Sequence, residues 1–183
     1  VYSLSTVSTY SIEEVAEVCS GPKWFQIYVF RDRALITEFM ERCRAAKYHG
    51  LILTIDVPVP GNRERDLYTG MSIPPQLTLA SWLDFFLHPL WSTKTLLSKE
   101  FQLANVAHKA PVDERDVTTL VGYLAKQFDP SVDWDAAAWM VKEWNGPFAI
   151  KGICCAEDAV RAADIGATAV ILSNHGGRQL DNA

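Results

Sequence analysis

The chain has 183 residues, 49% hydrophobic and 21% charged, which is the composition of a folded domain and excludes a disordered or collagen-like chain. Seventeen Lys and Arg stand against 22 Asp and Glu, for a formal charge of −5. With no basic block anywhere, nucleic-acid binding has no electrostatic footing, and no nucleic-acid partner is expected.

Cys19, Cys43, Cys154 and Cys155 form no CxxC pair and no cluster at metal-ligand spacing. They read as small hydrophobes of a reducing compartment, and no metal site is expected. Neither a signal peptide nor an apolar run of about 18 residues occurs, so a cytoplasmic location is expected. The chain opens on Val1-Tyr2-Ser3-Leu4 without Met and stops at Asp181-Asn182-Ala183, just after its most motif-like stretch. A piece of a longer protein is the expectation.

In chain order, a short strand is predicted at about 4–7. Ser11-Ile12-Glu13-Glu14 then reads as a capping box, with the Ser11 side chain on the Glu14 amide and Glu14 reaching back. It opens a helix through Cys19 that closes at Gly21-Pro22. Aromatic and β-branched residues predict a strand over 24–30. Asp32 caps a helix to about Tyr48, with Leu35, Ile36, Phe39, Met40, Cys43 and Ala46 on one face and Gly50 as its stop. The near-continuous apolar run of 51–56 predicts a strand buried on both faces, as in a parallel sheet. Five prolines interrupt the rhythm between 57 and 111. Val117, Leu120, Val121, Leu124 and Phe128 mark a further helix. Asp133 caps another, ended by Gly146-Pro147. Strands at 148–153 and 169–173 flank a helix over 156–165 that Gly166 stops.

Strands alternating with helices predict a parallel α/β architecture. A doubly wound sheet and part of a (β/α)8 barrel both fit five strands. Polar groups at several strand ends favour the barrel, and no GxGxxG follows the first strand. Gln26, Tyr28, Thr54, Asp56, Lys151, Ser173 and His175 all sit in or just after strands. A neutral imidazole is the natural base near neutral pH, a carboxylate fixes its tautomer, and an arginine forks a carboxylate substrate. As a set they suit proton abstraction from a small carboxylic acid. Each also has a plainer use. Asp56 suits a turn cap before the proline-rich loop, His175 a structural role, and Arg63 with Arg65 a solvated charge run.

Ser173-Asn174-His175-Gly176-Gly177-Arg178-Gln179-Leu180-Asp181 resembles the signature of the FMN-dependent 2-hydroxy acid dehydrogenases and oxidases. That family includes glycolate oxidase, L-lactate dehydrogenase and mandelate dehydrogenase. Trp24-Phe25-Gln26-Ile27-Tyr28, Leu53-Thr54-Ile55-Asp56 and Ile150-Lys151-Gly152 match it too, in order, and the resemblance covers essentially the whole chain. It implies an incomplete (β/α)8 TIM barrel, about strands two to six, with a long insertion after the fourth barrel strand. The family's FMN phosphate site lies near the final strands, so weak or absent FMN binding by this piece alone is expected.

The resemblance carries roles to individual positions. His175 resembles the base that takes a proton from the substrate's hydroxy-carbon or its hydroxyl. Asp56 resembles its carboxylate partner. Tyr28 resembles the phenol that hydrogen-bonds substrate, Arg178 the clamp on the substrate carboxylate, and Arg63 a second arginine at the mouth. Lys151 resembles the cation near flavin N1. Ser5, Gln26, Thr54 and Ser173 resemble flavin hydrogen-bonding positions. Some soluble oxidases carry Trp two residues after the position of Ser5; here it is Val7, and the stretch looks more like the bacterial lactate and mandelate dehydrogenases.

The implied function is FMN-dependent oxidation of an L-2-hydroxy acid, lactate- or mandelate-like, to the 2-keto acid, with a quinone or respiratory-chain acceptor. Its rivals are a soluble oxidase that makes peroxide from O2 and a catalytically silent fragment. Residues 73–108 form the insertion, interrupted by Asp84, His88 and Pro89, and read as a lid or a membrane-associating segment with aromatics at headgroup level. The resemblance further implies a homo-oligomer, a tetramer, in peripheral contact with the inner face of the bacterial plasma membrane.

Overall fold

The computed structural model describes residues 1–57, 61, 64–68, 77–98, 102–109 and 127–179. Five strands, β1 (Tyr2–Ser5), β2 (Lys23–Tyr28), β3 (Gly50–Thr54), β4 (Phe148–Ile153) and β5 (Ala169–Leu172), form one sheet. Every pairing is parallel, and the spatial order β1-β2-β3-β4-β5 follows the chain. A doubly wound sheet reverses its strand order at a switch point. This sheet never reverses, so the architecture is the incomplete (β/α)8 barrel.

Helices fill the crossovers: α1 (Ile12–Val18), α2 (Arg33–Ala45), then α3 (Glu64–Tyr68), α4 (Leu79–Leu87), α5 (Pro89–Leu97) and α6 (Trp134–Trp144) between β3 and β4, and α7 (Ala156–Asp164) before β5. Local chemistry sets their starts. The Ser11 capping box forms in full at α1, Asp32 accepts from the Ala34 and Leu35 amides at α2, and Asp133 accepts from the Ala136 amide at α6.

Alternation along the strands sends Phe25, Ile27, Leu51, Leu53, Phe148 and Ile150 to one face, where they are fully or almost fully buried. Ile36, Phe39, Met40 and Cys43 of α2 pack into the same core, as do Ile12 and Val15 of α1 and Met140 and Trp144 of α6. The opposite face carries Ser5, Gln26, Tyr28, Thr54 and Lys151. It is the polar face of an otherwise apolar sheet, and the strands' C-terminal ends deliver those groups together.

Three local expectations are corrected. Helix α2 stops at Ala45, with Lys47 in the left-handed region at φ 55°, and Gly50 instead begins β3. Gly50 is needed there because a Cβ would lie 2.6 Å from the Trp24 ring. At α6 the left-handed C-cap is Asn145, ahead of Gly146. Phe128 is not on a helix face: it forms an antiparallel bridge with Phe30. Asp129 precedes Pro130, whose ring disfavours helical backbone at that position. The rest of that expected helix, 117–126, lies outside the described residues.

The segment 102–109, after α5, is fastened to the barrel by Asn105, which is fully buried. Its Oδ1 accepts from the Ile12 amide at 2.9 Å and its Nδ2 donates to the Tyr10 carbonyl at 3.2 Å. Arg42 of α2 donates to the same Oδ1 and makes a two-pronged bond to Glu13.

Candidate active site

Asp56 lies two residues past the end of β3, so it falls on the same face as Thr54. Its side chain is 4% exposed. Oδ1 faces His175 Nδ1 at 2.9 Å, and Oδ2 accepts from Lys151 Nζ and from Ser173 Oγ, each at 2.5 Å. Burial alone would raise the Asp56 carboxyl, but the bonds from Lys151, Ser173 and His175 together outweigh it and hold the group below the ordinary carboxylate range. An ionised carboxylate only accepts, so the proton between the pair belongs to Nδ1. In the neutral imidazole that leaves the lone pair on Nε2, the state a general base requires.

His175 is held in an unusual backbone state, φ 60°, followed by Gly176 at 67° and Gly177 at 68°. A left-handed non-glycine residue carries a steric cost. Here the cost is offset by two bonds that need this conformation's neighbourhood: the His175 amide donates to Ser173 Oγ at 3.0 Å, and the ring meets Asp56. Ser173 thus touches both members of the pair.

Close approach of two strand ends makes the cluster possible. The β4–β5 pairing is irregular between Lys151 and Ile153, and Gly152 sits there at φ 116°. A Cβ on Gly152 would lie 2.7 Å from the Asp56 amide nitrogen. In the sequence Gly152 stands out only as the end of Ile150-Lys151-Gly152. A glycine interrupting an apolar strand is itself the signal of a bulge or a tight backbone contact.

A second polar chain crosses the same face. Ser5 Oγ donates to Gln26 Oε1 at 2.9 Å, and Gln26 Nε2 donates to Thr54 Oγ1 at 2.8 Å. Strand register puts Ser5 beside Gln26 and Tyr28 beside Thr54. Of the expected site residues, the structure therefore clusters Asp56, Lys151, Ser173 and His175, strings Ser5, Gln26 and Thr54 into one row, and sets Tyr28 next to that row. Arg178 ends the His175 turn and is exposed, its carbonyl so close to Gly61 that a Cβ there would clash with it. Arg63 lies outside the described residues. Phe128, expected from sequence on a helix face, instead meets Tyr28 edge-on with ring centroids 5.3 Å apart.

The FMN-dependent dehydrogenase family matches residues 1–183. An L-lactate dehydrogenase of Acinetobacter baumannii is 41% identical over 181 residues, 98% of this chain and 47% of that protein. A solved structure of the monotopic membrane protein (S)-mandelate dehydrogenase is 40% identical with a TM-score of 0.89, over 99% of this chain and 48% of that one. A lactate oxidase of Pediococcus acidilactici is 27% identical with a TM-score of 0.66, over 97% of this chain and 40% of that one. The chain spans about half the length of the curated relatives it matches.

Proposed function

Because this chain belongs to the FMN-dependent dehydrogenase family, we propose that it carries the proton-handling half of an L-2-hydroxy acid dehydrogenase acting on lactate- or mandelate-like substrates. The observation that carries this reading is the His175 Nδ1–Asp56 Oδ1 contact at 2.9 Å, placed where the strands end. Oxidising a 2-hydroxy acid to the 2-keto acid removes two protons and two electrons. His175 Nε2 takes one proton. Asp56 then faces an imidazolium, and its negative charge stabilises that state at short range. The Tyr28 hydroxyl and the Arg178 guanidinium orient the substrate.

The residues present fit FMN. A flavin ring edge offers both donors and acceptors, and the Ser5–Gln26–Thr54 row offers hydroxyl and amide groups that do both. Lys151 supplies a cation and Ser173 a further hydroxyl. Bound FMN supplies the acceptor for the electron pair and the second proton.

A membrane-side electron acceptor, a quinone or respiratory-chain component, is supported by the α4–α5 hairpin. Neither helix buries a single residue, and Phe86 and Leu97 are 81% and 87% exposed. A stack of Phe85 on Trp91 and a bond from Ser92 Oγ to the Phe85 carbonyl hold the two helices together. Nine residues each, they reach only about 14 Å, short of the ~30 Å hydrocarbon core. Among the described residues no helix is long and apolar enough to cross a membrane. An interfacial seat fits this geometry.

Replacement of His175 by Gln in the FMN-loaded full-length protein is expected to lower turnover at least ~10²-fold with flavin retained. Near-normal turnover would overturn the assignment. Oxygen uptake measured against dye reduction separates a peroxide-forming oxidase from a dehydrogenase. Flavin titration of residues 1–183 tests for a silent fragment, which would give no fluorescence quenching.

A further inference from the structure

Tyr28 is the last residue of β2, where a ring is no longer flanked on both sides by sheet neighbours. Its backbone is fixed: the amide donates to Thr6 Oγ1, and Thr54 is its partner on β3. Its ring is met by Phe128, which comes from a segment 100 residues later. The two rings are perpendicular at 88° with centroids 5.3 Å apart. Phe128 in turn stacks on Phe30 at 5.4 Å and 28°, so one ring bridges both aromatic residues that bracket Val29.

The segment carrying Phe128 is fastened from both sides. The Asp129 amide donates to the Val29 carbonyl at 3.0 Å, and the Arg31 amide donates to the Gln127 carbonyl at 2.8 Å. Arg33, the first residue of α2, donates from one guanidinium nitrogen to the Phe30 carbonyl and from another to Asp129 Oδ2 at 2.5 Å. Asp129 is also held by the Ser131 amide and hydroxyl. The backbone bonds and the ion pair therefore converge on one small task, which is to press a phenyl ring against the phenol at the end of β2.

We propose that Phe128 is a positioning residue for Tyr28, held in place by the Arg33–Asp129 ion pair. This rests on the reading of Tyr28 as a substrate-binding phenol. An edge-to-face neighbour restricts which rotamers a terminal tyrosine keeps, and the hydroxyl position follows the rotamer. Phe128 acts through Tyr28 and has no direct part in proton transfer, which belongs to Asp56 and His175.

The test is a double-mutant cycle on the FMN-loaded full-length protein, with kcat and KM for lactate and mandelate. Phe128→Leu is expected to lower kcat/KM about three- to tenfold, with the acid limb of the rate–pH profile unmoved and with recovery in Phe128→Tyr. In a Tyr28→Phe background the same replacement should change kcat/KM by less than about twofold, since no hydroxyl remains to misplace. Losses that multiply instead would overturn the proposal while leaving the reading of Tyr28 intact. If Tyr28→Phe alone leaves kcat/KM unchanged, the reading of Tyr28 fails and the proposal with it. Should Phe128→Leu not fold, Asp129→Asn removes the ion pair that holds the same segment and is expected to behave alike in the cycle; independence from Tyr28 overturns the proposal there too.

Discussion

Asp56 accepts from a cation, a hydroxyl and an imidazole at once, and its partners lie 95, 117 and 119 residues away. Asp56→Asn puts an amide where an acceptor is required, so Nδ1 loses its fixed proton acceptor and Nε2 its assured lone pair. A drop in turnover of ~10²-fold or more is expected, read by steady-state kinetics on the flavin-loaded full-length protein. The same carboxyl makes stability depend on pH. Its folded pKa is depressed, so its contribution is present above the ordinary carboxylate value of about 3.9 and is lost as pH falls through the folded value. Urea unfolding should therefore separate wild type from Asp56→Asn at neutral pH and bring them together in acid. Asp56 and His175 were legible as individual residues because chemistry-bearing groups at strand ends stand out from apolar runs. The bond of Lys151 to Asp56 was not, because pairing across that distance in sequence is set by strand order.

Among the elements, helix starts were the most legible, since a cap is a contact between near neighbours in sequence. Ser11 with Glu14, Asp32 and Asp133 all form the caps their spacing predicts. The end of α2 was misread because Gly50 answers to the Trp24 ring and not to the helix. Asn105 illustrates the same limit on the other side of the molecule. Nothing local marks it, yet it satisfies the first amide of α1 from 93 residues away. Asn105→Ala strands the buried Ile12 amide, and a loss of about 1–3 kcal/mol is expected. Urea denaturation measures it. A change below a few tenths would mean that water replaces the amide without cost.

Across the whole molecule, the two faces of the sheet and the hairpin divide the work. The outer face packs helices, the inner face gathers polar groups, and α4–α5 projects an apolar surface that the rest of the described structure leaves uncovered. If that surface seats in a membrane, Leu83→Glu with Phe86→Glu removes two anchors worth about 1.5–3 kcal/mol each. Sedimentation with phospholipid vesicles should then fall at least about tenfold, with dye-linked turnover on soluble substrate unchanged. Equal sedimentation of both forms would sink the interfacial reading.

By itself the sequence determined the alternation of strands and helices, the caps, the apolar faces and the nine-residue stretch around His175, because these are properties of residues near one another along the chain. Only the tertiary structure decided that the strands run in unbroken order, that Asp56 receives Lys151, Ser173 and His175 together, and that Phe128 meets Tyr28. Those contacts join residues about a hundred positions apart. The Asp56 cluster exists because parallel strands bring their C-terminal ends to one edge, which no local pattern encodes.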